Sequence, residues 1–99
     1  MSPFERFKKT NTEGNLWIYI LSLGKEGEVI DEELGKIIFE KFGFLPDGIL
    51  LSTVLYRLRR QGFIRTEKLK GKKAYSTTEA GKKELEKMME FSADILQKI

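Results

Sequence analysis

The sequence predicts a mainly α domain carrying one small β-hairpin, an α+β arrangement, and three observations lead there. Apolar residues recur at helical spacing in four stretches: residues 15–23, after Asp31, after Asp47, and from Leu85 onward. One segment, residues 63–77, begins by alternating apolar and polar residues and reverses about Lys70-Gly71-Lys72. Glycines at 24, 43 and 62 fall where the helical patterns stop. A chain of 99 residues suits one domain, and at that length about 65% of the unfolded surface is buried on folding.

The elements follow in order. Ser2-Pro3-Phe4-Glu5 has the form of a helix start, with Ser2 as cap and Pro3 in the first position, so residues 1–12 form an arm or a short helix. In residues 15–23, Leu16, Tyr19, Ile20 and Leu23 share one face, while Trp17, Ile18 and Leu21 lie off it. A helix apolar nearly all round is buried on both sides, and in a small domain the second side is expected to meet another subunit. Asp31 is the expected cap of the second main helix, with Glu32 and Glu33 in its first turn and Leu34, Ile37, Ile38 and Phe42 on its core face. Phe44-Leu45-Pro46-Asp47-Gly48 is a turn that ends in a cap for the third helix. That helix places Leu51, Val54, Leu55 and Leu58 inward and Ile49, Thr53, Tyr56 and Arg60 outward, with Ser52, Arg57 and Arg59 alongside. After the hairpin, Ser76 or Thr78 caps a last helix, Ser76 with Glu79 having capping-box spacing. Its apolar residues Leu85, Met88, Ser92, Ile95 and Ile99 recur at three and four, a seam widened by Met89 and Leu96 and suited to a partner helix.

Composition narrows the function. There is no cysteine, hence no disulfide, thiolate metal site or cysteine nucleophile, and no histidine, the commonest general base and metal ligand. Asp31, Glu32 and Glu33 form the only acidic cluster, and helix-start duty accounts for it, so neither an enzyme, a metal site nor a cofactor is expected. No apolar run reaches the ~20 residues of a membrane span, and Phe4 and Phe7 stand isolated among charges rather than in a signal-peptide core. A cytoplasmic protein is expected, and Lys and Glu richness with two Asn and two Gln is thermophile-like.

The net charge of +3 conceals an asymmetry. Residues 51–83 carry ten bases against two acids, a net +8, and the remainder eight against thirteen, a net −5. One region is thus built to meet a polyanion. Helix, helix, turn, helix, two-stranded wing and a further helix is the order of a winged helix-turn-helix, in which the third helix enters the major groove. On that reading Ser52, Thr53, Tyr56, Arg57 and Arg60 face the groove. Lys68, Lys70, Lys72 and Lys73 at the hairpin tip meet the backbone or the minor groove.

Lys41-Phe42-Gly43-Phe44, Arg57-Leu58-Arg59-Arg60-Gln61-Gly62-Phe63-Ile64 and Tyr75-Ser76-Thr77-Thr78-Glu79-Ala80-Gly81-Lys82-Lys83-Glu84-Leu85 resemble the PadR-like transcriptional regulators. The resemblance runs from about Leu16 to the C-terminus. It departs at Ile49-Leu50-Leu51-Ser52-Thr53, where the family usually has a Gly-Thr-Leu-Tyr-Pro-like run, and at Thr77, where an aliphatic residue is usual. It implies a homodimeric, sequence-specific regulator of double-stranded DNA, more often a repressor. The C-terminal helix would pack against the partner near its first helix, with Trp17, Ile18, Leu21, Leu85, Met88, Met89, Ser92, Ile95, Leu96 and Ile99 in the interface. Together with Trp17 it also implies a small aromatic effector between the subunits. The expected organisation is an arm at 1–12, a winged helix-turn-helix at 13–78 and a dimerisation helix at 79–99. Two other readings fit the composition: a winged-helix module for protein–protein contact, and a protein that coats DNA without regard to sequence.

Overall fold

The computed structural model describes all 99 residues, as five helices and a three-stranded antiparallel sheet. The helices are α1 (Pro3–Thr10), α2 (Leu16–Gly24), α3 (Leu34–Phe42), α4 (Gly48–Gln61) and α5 (Glu79–Lys98). The strands are β1 (Val29–Ile30), β2 (Ile64–Leu69) and β3 (Lys72–Thr77), in the order β1-β3-β2. Short 3-10 turns at Glu13–Asn15 and Asp31–Glu33 lead into α2 and α3.

Helix α2 is the centre of the core. It packs against α4, α5 and β3, and Ile20 and Leu21 have no exposed surface at all. Its apolar circumference is therefore largely used within the chain. Leu21, expected at a subunit interface, is instead walled in by the chain's own helices and is unreachable from outside. Trp17 and Ile18 stay half-buried at the edge of the same core. Leu34 and Ile38 of α3, Leu51, Leu55 and Leu58 of α4, and Leu85 of α5 complete it. Each such side chain stabilises the fold by about 1.5–3 kcal/mol through removal of apolar surface from water.

Aromatic packing explains the Phe42-Gly43-Phe44 motif. Gly43 takes the left-handed conformation that ends α3, φ 83°. The chain then turns so that Phe42 and Phe44 both meet the Tyr19 ring edge-on, at centroid distances of 4.8 and 5.1 Å. The Tyr19 hydroxyl donates to the Asn11 carbonyl and so anchors the segment that follows α1. Helix α1 itself has both halves of a capping box between Ser2 and Glu5, yet none of its residues is buried.

Two local readings change and one open alternative is resolved. Val29 and Ile30 are a strand, pairing with Tyr75 and Ala74, so the hairpin belongs to a three-stranded sheet. Asp31 caps nothing: its carboxylate is taken by Arg59 of α4, at 2.9 and 3.0 Å from the two terminal nitrogens. Thr78, not Ser76, caps α5 by accepting from the Gly81 amide, while Ser76 donates to Glu67 across the hairpin.

The sheet is tied to α2 by two buried hydroxyls. Tyr75 donates to the Ile20 carbonyl at 2.7 Å and Thr77 to the Leu21 carbonyl at 2.8 Å. Burial pushes the Tyr75 phenol far above its ordinary pKa, the nearby Asp31 carboxylate adds to the shift, and Arg59 opposes it. It remains a neutral donor. Thr77, in the place of a usual aliphatic residue, is thus a hydrogen-bonding one because its neighbour is the carbonyl end of a helix.

Candidate nucleic-acid interface

Helix α4 starts cleanly because the Asp47 carboxylate accepts from the Leu50 amide, and stops at Gly62, φ 81°. Leu51, Leu55 and Leu58 anchor its inner face. The fork between Arg59, Asp31 and the Ala74 carbonyl, the last at 3.1 Å, fastens its C-terminal half to β3 and the turn before α3. With both side chains mostly buried, loss of one strands the other's charge. Asp31→Ala is expected to cost about 2 kcal/mol, less than a fully buried pair because water still screens this one. The check is urea unfolding beside Asp31→Asn, which retains one acceptor and should lose less.

The outer face of α4 presents Ile49, Ser52, Thr53, Tyr56, Arg57 and Arg60, all exposed. They are not equivalent. The Thr53 hydroxyl donates to the Ile49 carbonyl at 2.9 Å, so toward a ligand it can only accept. Arg60 donates to the Tyr56 hydroxyl at 3.3 Å and lies 5.9 Å from the ring centroid, which holds both side chains as one platform. Arg57, expected to face the DNA with the others, lies instead on the side of the helix toward Trp17, lining a groove of about 410 Å³ with Trp17, Leu50, Val54, Phe63 and Glu84.

The wing turns through Lys70 and Gly71, both with positive φ (54° and 76°), a two-residue turn whose twist suits a hairpin. Lys68 lies directly opposite Lys73. Like charges facing across a ladder destabilise it, so this pair is unfavourable until an anion lies over it. Lys72 differs: its ammonium is 2.6 Å from Glu32, whose hydrogen bond and charge raise the lysine pKa. Lys68, Lys70 and Lys73 have no such acidic partner. Among the wing lysines those three are free and Lys72 is compensated, and Arg65 at the base of β2 is exposed and likewise without an acidic partner.

The seam on α5 divides in two. Leu85 is buried on the chain's own core and Met88 is half-buried beside it. From Met89 to Ile99 every residue is exposed, among them Met89, Ser92, Ile95, Leu96, Ile99 and Phe91, a position the seam did not include. At 1.5 Å rise per residue these last turns stand clear of the domain by roughly 15 Å, in a molecule 47 Å along its longest axis. No helix is long and apolar enough to cross a membrane.

No protein-family model matches the chain, and no curated protein matches it in sequence. Among solved structures, Bacillus subtilis PadR in complex with operator DNA superposes with a TM-score of 0.67 at 27% identity, over 75% of this chain and 46% of that one. The fold is that of the PadR-like winged-helix proteins. A PadR family transcription regulator from Clostridium difficile gives a TM-score of 0.73 at 22% identity, over 84% of this chain and 92% of its own. The Bacillus subtilis protein in complex with p-coumaric acid gives 0.63 at 29%, over 75% and 41%. The chain thus spans less than half the length of the Bacillus subtilis PadR structures.

Proposed function

We propose that this PadR-like chain is a cytoplasmic, non-enzymatic transcriptional regulator that binds specific double-stranded DNA as a homodimer and acts as a repressor. The observation that carries the reading is the groove in which Ser52 and Tyr56 of α4 meet Lys73 of the wing. A rigidly anchored helix exposes Ser52, Thr53, Tyr56 and Arg60, and the wing adds the uncompensated Lys68, Lys70 and Lys73. Helix α4 enters the major groove, and the wing follows the backbone or the minor groove. The Bacillus subtilis PadR complex with operator DNA supports the same choice of partner.

The second protomer covers the exposed half of α5. Met89, Phe91, Ile95, Leu96 and Ile99 are too large an apolar group to stand in water without cost, and the half-buried Trp17 and Ile18 are proposed to join the contact. Two copies related by a two-fold axis place their recognition helices on half-sites about one helical turn apart. The groove beside Trp17 offers a flat aromatic effector a site bounded by Leu50, Val54 and Arg57 of α4 itself, so occupancy bears directly on the DNA-reading helix. The complex of Bacillus subtilis PadR with p-coumaric acid supports that ligand class.

Enrichment of bound sequences from random duplex DNA, with molar mass measured alongside, tests the reading. A palindromic motif bound by a species of twice the chain mass is expected. Ile95→Glu with Leu96→Glu should give a folded monomer whose affinity for the full palindrome falls at least tenfold. Binding without sequence preference would favour a DNA-coating role, and absence of binding a protein-contact module.

A further inference from the structure

We propose that Ile49 is a base-reading residue, and that the group it recognises is the 5-methyl of a thymine in the major groove. The proposal rests on the reading of α4 as the element that enters that groove. Ile49 lies in the first turn of α4 and is 81% exposed, among the most exposed of the large apolar side chains. It is on the same outward stripe as Thr53 and Arg60, four and eleven positions on. The polar neighbour that would compete for a base edge at this level is largely silent as a donor, because the Thr53 hydroxyl is spent on the Ile49 carbonyl. The helix start is also less favourable to a phosphate, because the Asp47 carboxylate accepts from the Leu50 amide and places a negative charge there.

An apolar side chain thus stands at the leading end of a helix that carries Arg57 and Arg60 further along and whose outer side shares a groove with Lys73 of the wing through Ser52 and Tyr56. Those cations favour a polyanion over an apolar protein surface. The one apolar group that B-DNA displays on its major-groove base edges is the thymine methyl. Removing that methyl from water against a branched aliphatic residue changes affinity by about three- to fivefold, the worth of one methyl group. Base discrimination by α4 then combines a methyl contact at its start with polar contacts from Tyr56 and Arg60 further along.

The test uses the enriched duplex and fluorescence anisotropy. Each thymine of a half-site is replaced in turn by deoxyuridine, which deletes the methyl and leaves the pairing edge unchanged. One position per half-site is expected to weaken binding about three- to fivefold per methyl. Ile49→Ala, at a site too exposed to disturb folding, should bind the thymine duplex as weakly as the wild type binds the uridine duplex, and lose its sensitivity to the substitution. Ile49→Val should keep most of that sensitivity. The proposal is overturned if no thymine shows a methyl effect, or if Ile49→Ala retains the full effect. It is also overturned if Ile49→Ala alters molar mass with DNA affinity unchanged, which would assign the residue to a protein contact. Failure to bind any DNA would sink the underlying reading as well, a result distinct from binding that ignores the methyl.

Discussion

Lys68→Ala, Lys70→Ala and Lys73→Ala combined are expected to weaken binding to every duplex alike, by about 10²- to 10³-fold per protomer near 0.1 M salt. The slope of log K against log salt should become shallower by roughly 2.7 per protomer, hence roughly 5.4 for the proposed dimer, since each phosphate contact releases about 0.9 of a counterion. The three side chains were chosen because none has an acidic partner, and because Lys68 and Lys73 repel each other across the hairpin. Removing them relieves strain, so the variant should be at least as stable as the parent, and a loss of affinity cannot be blamed on unfolding. Lys72→Ala is the internal comparison. Its ammonium already faces Glu32 at 2.6 Å, so its loss should change the slope by much less than one. Titrations at two salt concentrations decide the matter: an unchanged slope in the triple variant removes the wing from the interface. Base preference should survive the triple substitution if, as proposed, side chains on α4 meet the base edges and the wing the backbone.

The contrast between Lys72 and its neighbours marks the limit of what a sequence carries. The run of lysines about Gly71 was legible as a basic hairpin tip, and the helical spacing of Leu51, Leu55 and Leu58 as a buried face, since both are local patterns. Which lysine is compensated depends on Glu32, forty residues earlier in the chain, and no periodicity connects them. Asp31 is the same case. Its place ahead of a helix with two following glutamates is a good cap signature, but the guanidinium of Arg59 provides two charge-assisted bonds where a cap would provide one to a neutral amide. The tertiary partner wins. Strand β1 was missed because two residues are too short to show alternation, although Val29-Ile30, both β-branched and followed by a polar turn, was the available signal.

The expected interface divides along the same line. Apolar residues all round α2 were correctly a sign of burial on several sides, but periodicity cannot say whether the cover comes from the same chain or from another. For Leu21 and Leu85 it is the same chain, because α4, α5 and β3 all converge on α2. The outer turns of α5 remain without cover. The rule that an apolar stripe needs a partner therefore bears on residues 89–99 alone and not on the whole seam.

Gly81→Ala is expected to be the most damaging small substitution in the chain, costing about 3 kcal/mol or more, roughly 15 °C in Tm for a domain of this size. A Cβ at this position would sit 2.2 Å from the Phe63 carbonyl oxygen and 2.7 Å from the Thr77 methyl. The carbonyl cannot swing aside, since it accepts from the Thr78 amide at 3.1 Å and belongs to the join between α4 and β2. Relief requires α5 to move off the hairpin, which disturbs the Thr78 cap and the seating of Leu85. The opposite result is expected at Gly35, inside α3, where a Cβ would meet only Leu51, at 3.7 Å. There alanine should stabilise by about 0.5 kcal/mol, because it narrows the unfolded ensemble and is accommodated in the first turn of a helix. Thermal unfolding of both variants separates steric exclusion from helix propensity. Equal effects of the same sign would mean that the close approach of α5 to the start of the wing does not set the stability of this fold.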